Sequence, residues 1–295
     1  MISPPKPPLI PPRLKLKRLH DRKRQMTICA GFCSLGGVVL GADTQESAGV
    51  VKVSKTKIAL RPKWPTGNDP WSAVFAGAGD ATYTDMLTDE LWSCIEKAGT
   101  QYSDIVEALK KHVRRSHSLY AKFSTADVRY EPDLLIGLWT KEENRARLFR
   151  AAGPAISEIS DYACIGYGLD LGTYITARLF RSNMGHEAVE VIAAYLLSQV
   201  NRYNNFCGGE SEIVTLHHEG NVEYVHGIDV FALGRFFSDF DDAFRDALLP
   251  MAMESSPISL EEIRDRLGDQ LTHMRERLLK FMEMKEPPKL PQKQD

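Results

Sequence analysis

The 295-residue sequence lacks the long apolar runs of membrane proteins and has few cysteines. No run approaches the roughly 18 consecutive apolar residues of a membrane-spanning helix, and the N-terminal segment lacks an apolar core of signal-peptide length. Cysteines are few and odd in number, without a paired zinc spacing: Cys29, Cys33, Cys94, Cys164 and Cys207. We therefore expect reduced thiols in a cytoplasmic protein rather than a disulfide framework or a metal site.

Several catalytic and binding motifs are also missing. The histidines form no HExxH and no ligand-like triad, and no GxSxG is present, so zinc peptidase and serine hydrolase chemistry are not expected. The turns at 77–79 and 166–168 read Gly-x-Gly after predicted strands, but Thr82 and Leu171 stand where a dinucleotide loop has its third glycine. A net charge of -2 argues against a whole-domain commitment to nucleic acid or anionic membrane. No cofactor, metal, nucleic acid or membrane is expected as a partner.

The chain divides into one domain and flanking segments. Residues 1–26 are rich in proline and basic residues and cannot bury enough apolar surface to offset the entropy of ordering. We expect this leader to be disordered, removed, or ahead of the true start, since Met26 can serve as an initiator. The length suits one globular domain over 27–228, followed by a helical extension over 229–283 and a disordered tail over 284–295.

The order of predicted elements indicates two sheets between helix layers. Strands are predicted over 27–33, 38–42, 52–60, 71–77, 133–139 and 146–152, into Ile165, and near 212–217 and 222–226. Helices are predicted around 83–95 and 105–113, over 170–180, 186–203 and 231–249, and along an apolar stripe from Leu260 to Leu278. The order is a block of strands, a pair of helices, a block of strands, a second pair of helices and further strands. This block order differs from the strict alternation of strand and helix in a βαβ fold. The last stripe indicates packing on its own domain, with a subunit contact as the alternative.

The position of Thr27 raises the functional question. Thr27 opens the first strand, a Gly36-Gly37 turn follows, and the second strand leads to Asp43. A threonine hydroxyl needs a positioned base, and a free α-amine, with a pKa of about 7.7 to 8.0, can serve. An internal Thr27 has only an amide, so this chemistry requires Thr27 to become the N-terminus. The alternative is a β-branched strand residue and an aspartate that begins a turn.

The stretch from Thr27 to Leu60 resembles the opening of the proteasome β-subunit family. It is particularly similar to the bacterial two-ring threonine peptidase (HslV-like) that works with an AAA+ unfoldase. Three later segments resemble that family in order: VFAGAGDATYTDML, CIGYGLDLGTYITARL and NNFCGGESEIVTL. The similarity spans about Thr27 to Val225. It implies an α+β fold, the four-layer αββα sandwich of the N-terminal nucleophile hydrolases, here with a C-terminal helical extension.

The resemblance implies a catalytic set. Thr27 matches the nucleophile and Asp43 the family's aspartate sixteen residues later, without a gap. Lys57 matches the catalytic lysine only after a small deletion, so Lys55 remains a rival. Gly77 matches the residue whose backbone N–H forms the oxyanion hole, where a glycine allows close approach of a substrate carbonyl.

The resemblance also implies pocket and supporting residues. The pocket residues are Phe75, Gln45 and Gly79, and a phenylalanine at the pocket base would favour modest apolar side chains. The supporting residues are Tyr167, Gly168, Asn204 and Cys207. Three of these depart from the family pattern, because tyrosine replaces a catalytic serine, asparagine an aspartate and cysteine a serine. A tyrosine hydroxyl lies too far from the backbone to replace the serine without rearrangement.

The predicted function is a proteasome-like threonine peptidase or amidohydrolase. Thr27 would be exposed by initiation at Met26 with removal of that methionine, or by self-cleavage of residues 1–26. Two alternatives remain: a catalytically inactive ring or scaffold subunit that keeps residues 1–25, and an amidase of the same fold acting on a small molecule. The resemblance implies a homo-oligomeric ring and a peptide or protein substrate. An ATPase partner is a further possibility, although no residue of the sequence supports one.

Overall fold

The computed structural model describes residues 27–48, 51–62, 69–123, 132–225, 227–252 and 258–283. The predicted leader over 1–26 and the predicted tail over 284–295 lie outside the described residues. The described strands are β1 Ile28–Ser34, β2 Gly37–Asp43, β3 Gln45–Ala48, β4 Val51–Ser54, β5 Ile58–Arg61, β6 Trp71–Ala78, β7 Asp133–Thr140, β8 Arg145–Ala152, β9 Ala155–Ile159, β10 Tyr162–Gly166, β11 Ser211–His217 and β12 Val222–Val225. The described α-helices are α1 Ala81–Ala98, α2 Tyr102–Tyr120, α3 Leu169–Leu179, α4 His186–Tyr203, α5 Gly227–Ala252 and α6 Leu260–Glu283.

The strands form two five-stranded antiparallel sheets and a separate hairpin. The first sheet has the order β10-β1-β2-β11-β12 and the second β5-β6-β7-β8-β9, while β3 pairs only with β4. Within the first sheet, β1 and β2 form a hairpin in which Cys29 pairs with Ala42 and Ser34 with Gly37. The turn at Leu35 and Gly36 therefore brings Thr27 and Asp43 to the same end of the sheet.

Three apolar clusters hold the layers together. Because strand side chains alternate between faces, Ile28 and Phe32 of β1 point to the helices of the first sheet, whereas Cys29 points to the second sheet. The cluster between the sheets joins residues of both, for example Leu40 and Leu148. Helices α3, α4 and the start of α5 cover the outer face of the first sheet, and α1 and α2 cover that of the second. The predicted mixed α/β fold of antiparallel sheets and helices is confirmed.

The segment predicted as one strand over 52–60 is two strands. Strands β4 and β5 are separated by Lys55–Lys57, and the Lys55 N–H donates to the Thr44 carbonyl at 2.8 Å. The break follows from topology, since β4 pairs with β3 and β5 with β6 of the second sheet. It places the lysines at the open end of the β1–β2 hairpin. The sequence analysis missed β3 and β9, which are short and carry no clear apolar alternation.

Helix α5 packs on the domain, and helix α6 packs on α5. Val230 and Leu233 of α5 belong to the apolar cluster that α4 also enters. The Arg277 guanidinium of α6 donates to an Asp239 carboxylate oxygen of α5 at 3.0 Å. Helix α5 includes Pro250 and continues to Ala252, beyond the helix predicted over 231–249. None of the described helices has both the length and the apolar character to span a bilayer.

Candidate active site

Thr27 and Asp43 lie side by side at the open end of the β1–β2 hairpin. Thr27 directly precedes β1 and is 4% exposed, while Asp43 ends β2 and is 0% exposed. The Thr27 hydroxyl donates to Asp43 Oδ1 at 2.5 Å. The next backbone N–H, that of Ile28, donates to the same oxygen at 3.0 Å. The hairpin geometry therefore accounts for the sequence spacing of these two residues.

Lys57 completes the cluster from the break between β4 and β5. Its ammonium group donates to Thr27 Oγ1, to Asp43 Oδ1 at 2.6 Å and to the Gln45 carbonyl at 2.6 Å. The Lys57 side chain is 11% exposed. A nearly buried ammonium thus contacts a hydroxyl, a fully buried carboxylate and a backbone carbonyl. Such a charge is tolerated at this depth only because all its donors are used.

Lys55 lies elsewhere and is not part of this cluster. Its ammonium donates to Asp85 of α1 at 2.7 Å, and Glu46 is 3.9 Å away. The hydrogen bond to Asp85 raises the pKa of Lys55. Both lysines occupy the same short connection, but only Lys57 contacts Thr27.

Backbone amides fix Asp43 from its other side. The Gly208 N–H donates to Asp43 Oδ2 at 3.0 Å, and the Gly208 carbonyl accepts from the Gln45 N–H at 2.9 Å. Gly208 follows Cys207 in the loop before β11, which is paired with β2 through Ser211 and Asp43. Sequence reasoning missed these backbone donors and acceptors. The only available signal was the Gly208-Gly209 pair in a segment that resembled the family.

A cleft of about 890 Å³ opens in front of Thr27. Its lining includes Thr27, Gln45, Lys57, Phe75, Gly77 and Gly79. The structure therefore brings the predicted nucleophile, lysine and pocket residues onto one concavity. Asp43 lies behind it, fully buried.

Gly77 lines the cleft, but its amide is already in use. The Gly77 N–H donates to the Lys57 carbonyl at 3.3 Å, which is at the long end for an N–H···O bond. A Cβ on Gly77 would lie 2.1 Å from Thr84 Cγ2 of α1 and 2.9 Å from Leu134 Cδ2. The glycine is thus required where β6 packs against α1. Its predicted oxyanion role is not demonstrated by the structure.

The predicted pocket residues border the same cleft. Phe75 is 1% exposed and also packs against α1 and α2. Gln45 is 7% exposed, and its buried side-chain nitrogen has no hydrogen-bond partner among the described residues. Gly79 has a φ of 123°, a left-handed conformation that favours glycine. Gln45 therefore carries a free donor at the cleft wall.

The predicted supporting residues lie behind Thr27 in two loops. The Gly168 N–H donates to the Thr27 carbonyl at 3.2 Å. The Asn204 side chain donates to the Tyr167 carbonyl at 3.4 Å, and the Tyr167 ring packs on Phe206 with ring centroids 4.4 Å apart. The Tyr167 ring therefore packs against the loop between α4 and β11, and it does not take the place of a serine beside Thr27.

The cysteines near the cluster remain thiols. Burial, with a smaller contribution from the Asp43 carboxylate, raises the pKa of Cys207 to about 12. Burial likewise raises the pKa of Cys29, whose thiol donates to the Gly77 carbonyl at 3.3 Å. Because the thiolate is the reactive form of cysteine, neither residue is set up as a nucleophile.

Solved structures of Anbu proteins share this fold. A Gly-1 mutant of Anbu from Hyphomicrobium sp. strain MC1 has a TM-score of 0.61 and 21% identity, and the match covers 78% of this chain and 98% of that chain. Anbu (ancestral beta-subunit) from Yersinia bercovieri has a TM-score of 0.61 and 17% identity, covering 75% and 97%. The helical assembly of the Anbu complex from Pseudomonas aeruginosa has a TM-score of 0.63 and 15% identity, covering 79% and 100%. No family model and no curated protein matches the sequence.

These matches correct the particular similarity to the HslV-like two-ring peptidases that the sequence suggested. At identities of 15% to 21% they show the fold alone. The structural neighbours are Anbu proteins, which are proteasome-like but distinct, so the assignment to the HslV-like two-ring peptidases is wrong. The resemblance rested on a hairpin from threonine to aspartate and on two glycine-rich turns, and these motifs did not predict that the structural neighbours would be Anbu proteins.

Proposed function

We propose that the chain is a proteasome-like threonine amidohydrolase, acting on peptides, in an N-terminal nucleophile hydrolase sandwich. The observation that carries the proposal is the Lys57 ammonium, which donates both to Thr27 Oγ1 and to the buried Asp43 carboxylate at the edge of a cleft. A positive charge beside the hydroxyl favours the alkoxide, and Asp43 compensates for the burial of that charge. The two sheets with helices on their outer faces suit the same sandwich.

The reaction requires a free amine on Thr27. In the proposed first step, Thr27 Oγ bonds to the substrate carbonyl carbon, the carbonyl π electrons move to its oxygen, and the α-amine takes the hydroxyl proton. The C–N bond then breaks as the leaving nitrogen receives that proton. Water then attacks the ester carbon, the bond to Thr27 Oγ breaks, the acyl group leaves as a carboxylic acid, and a proton from the water restores the hydroxyl. The Gly77 N–H donates to the Lys57 carbonyl at 3.3 Å, so its role as oxyanion donor in this proposal requires the substrate oxygen to replace that carbonyl as acceptor.

The side-chain amide of Gln45 suits substrate binding. Its nitrogen is buried on the cleft wall without a partner among the described residues. A buried donor without an acceptor is costly, and a substrate carbonyl would satisfy it. Phe75 would bound the pocket for the side chain that precedes the cleaved bond and favour modest apolar groups.

Intact mass and active-site labelling test the proposal together. Protein purified from its native host is expected to contain chains that begin at Thr27, through initiation at Met26 or through self-cleavage. An epoxyketone peptide, which reacts with both the hydroxyl and the free amine, should label these chains and the Thr27→Ser variant. It should not label Thr27→Ala. A population that retains residues before Thr27 and resists labelling would contradict the proposal.

That negative outcome would favour an inactive scaffold subunit. The departures at Tyr167, Asn204 and Cys207 support this second candidate, since Tyr167 packs on Phe206 instead of replacing a serine beside Thr27. Labelling without peptide turnover, but with hydrolysis of small amides, would favour a small-molecule amidase instead. We also propose a homo-oligomer, because the Pseudomonas aeruginosa Anbu complex is a helical assembly. Light scattering and electron microscopy of the purified chain would distinguish a ring from a helical arrangement.

A further inference from the structure

Three potential metal ligands meet at the turn end of the β1–β2 hairpin. They are His186, the first residue of α4, His217, the last residue of β11, and Glu223 of β12. Their donor atoms all lie within 4.8 Å of one another, and all three residues are partly buried. We propose that they bind one divalent transition-metal ion of the Zn²⁺ class.

The spacing of the donors suits a metal ion. His217 Nε2 and Glu223 Oε2 are 3.3 Å apart. With metal–ligand distances of about 2.0 to 2.1 Å, the edge of a tetrahedral zinc site is also roughly 3.3 Å. The widest separation, 4.8 Å, must shorten by about 1.5 Å, which side-chain rotation of partly exposed residues supplies. The rings of His186 and His217 are nearly perpendicular, with centroids 4.8 Å apart, so they are not stacked face to face.

Backbone hydrogen bonds hold the three contributing segments together. The Leu35 N–H in the β1–β2 turn donates to the Met184 carbonyl at 2.9 Å, just before α4. The His218 N–H donates to the Gly36 carbonyl at 3.0 Å. Strands β11 and β12 are paired, with Thr215 opposite Glu223. The backbone is therefore fixed before any ion binds, which reduces the ordering cost of binding.

Space and charge at this position agree with the proposal. A Cβ on Gly36 would lie 2.5 Å from His186 Nδ1, so the glycine provides the room for that ring. Glu190, one helical turn after His186, is 3% exposed and accepts the Thr215 hydroxyl at 2.7 Å. A buried carboxylate this close to the ligand set favours a cation there.

The ligand set selects the kind of ion. Two imidazoles and one carboxylate suit Zn²⁺, Co²⁺, Ni²⁺, Cu²⁺ or Fe²⁺, whereas Mg²⁺ and Ca²⁺ prefer all-oxygen sites. Three protein ligands also leave a fourth position of a tetrahedral ion open to water. The site lies at the opposite end of β1 from Thr27, about 20 Å away for a strand of this length. It therefore acts independently of the Thr27 chemistry.

Calorimetric titration with Zn²⁺ tests the site on the tag-free, full-length protein after treatment with a chelator. We expect one Zn²⁺ per chain, and binding at least about 100-fold weaker in His217→Ala and Glu223→Gln, because loss of a ligand costs more than loss of its outer partners. His273→Ala is the matched control, since His273 is an exposed histidine on α6, and it should bind as the wild type does. The absence of saturable binding, or equal binding by all variants, would overturn the proposal.

A second measurement covers the case in which His217→Ala fails to fold. Zn²⁺ that binds the folded state should raise the melting temperature of the wild type and of His273→Ala in a concentration-dependent manner. Glu223→Gln, which keeps the shape of the side chain and removes one anionic ligand, should lose that response. Co²⁺ should give the visible absorption of a four-coordinate ion only where Glu223 and both histidines are present. A rise that persists in Glu223→Gln would assign the effect to other surface groups.

Discussion

The two ends of the β1–β2 hairpin carry clusters of opposite character. At the open end, Asp43 is fully buried, and its carboxylate accepts from the Thr27 hydroxyl, the Lys57 ammonium and two backbone amides. At the turn end, the imidazoles and carboxylate are partly exposed and up to 4.8 Å apart. The first cluster balances its own charge and has no room for another atom among its members. In the second, His217 and Glu223 are 3.3 Å apart, and the three donor atoms lie within 4.8 Å of one another, which is the spacing on which the proposed ion site rests.

The strongest test of this contrast is Lys57→Met. Removing the ammonium leaves Asp43 buried without its counter-charge, and breaking a buried ion pair costs about 3–5 kcal/mol. We expect a loss of that size in the free energy of unfolding, measured with urea, and loss of epoxyketone labelling. Zn²⁺ binding at the turn end should remain in the fraction that folds.

Lys55→Met is the matched control for that variant. Lys55 lies two residues away and pairs with the exposed Asp85, and exposed ion pairs contribute about 0–1 kcal/mol. We expect nearly unchanged stability and full labelling. Equal losses in the two variants would show that the connection between β4 and β5 matters as a whole and that Lys57 has no special role.

Gly36→Ala should disturb the turn end alone. The new Cβ would occupy the space of His186 Nδ1, 2.5 Å away, so the ring must move out of the ligand set. Overpacking of this kind costs about 1–3 kcal/mol. We expect that cost in urea unfolding, together with loss of the Zn²⁺-dependent rise in melting temperature and unchanged labelling of Thr27.

Gly185→Ala controls for the loss of a glycine next to His186. A Cβ there meets nothing within 4 Å, so the ring keeps its place. The Zn²⁺ response should therefore persist. Its disappearance in both glycine variants would mean that the start of α4, and not the position of the imidazole, governs the response.

Glu212→Gln is expected to change the free energy of unfolding least among these variants. Glu212 lies at the open end on β11, accepts the Thr56 hydroxyl at 3.0 Å, and has one buried oxygen without a partner among the described residues. Burial raises its pKa, so its contribution to stability is present below the unfolded pKa of about 4.3 and is lost as pH rises through the folded value. Glutamine keeps an acceptor for the Thr56 hydroxyl but does not ionise, so the variant should not lose stability in this way as pH rises.

The expected result is a pH-dependent difference between wild type and Glu212→Gln. Urea unfolding should show the variant more stable by a few tenths of a kcal/mol at pH 7.5, because the side chain is only half-buried and solvent screens it. At pH 4 this gain should disappear. The exposed Glu210, changed in Glu210→Gln, provides the control, and the same pH response there would argue against burial as the cause.

The sequence predicted those parts of the fold that depend on neighbouring residues, such as turns and helix periodicity. A glycine turn between two apolar runs predicts a hairpin, and the pairing of Cys29 with Ala42 then places Thr27 next to Asp43. The paired helices at α1 and α2 and at α3 and α4 were likewise predicted from their periodicity. The choice between Lys55 and Lys57 was left open, because it depends on where β4 ends and β5 begins in two different sheets.

Residues brought together by topology were not predictable. His186, His217 and Glu223 come from a helix and two strands and follow no ligand spacing, so the sequence indicated no metal site. The commitment of the Gly77 N–H to the Lys57 carbonyl depends on pairing between the strands of the second sheet. The similarity to Anbu structures was also not predictable from the motifs, because it was found by comparing folds at identities of 17% to 21%.

The anchoring of Asp43 by Ile28 and Gly208 has a consequence for maturation. In the structure Thr27 Oγ1 contacts both Lys57 and Asp43. Activation on the proposed pathway then needs only scission of the bond before Thr27, which converts an inert nitrogen into a base, because Thr27, Lys57 and Asp43 are already in contact. On that proposed pathway the side chains of the site are in place before the nitrogen becomes a base, so hydrolysis would begin only once the bond before Thr27 is cut.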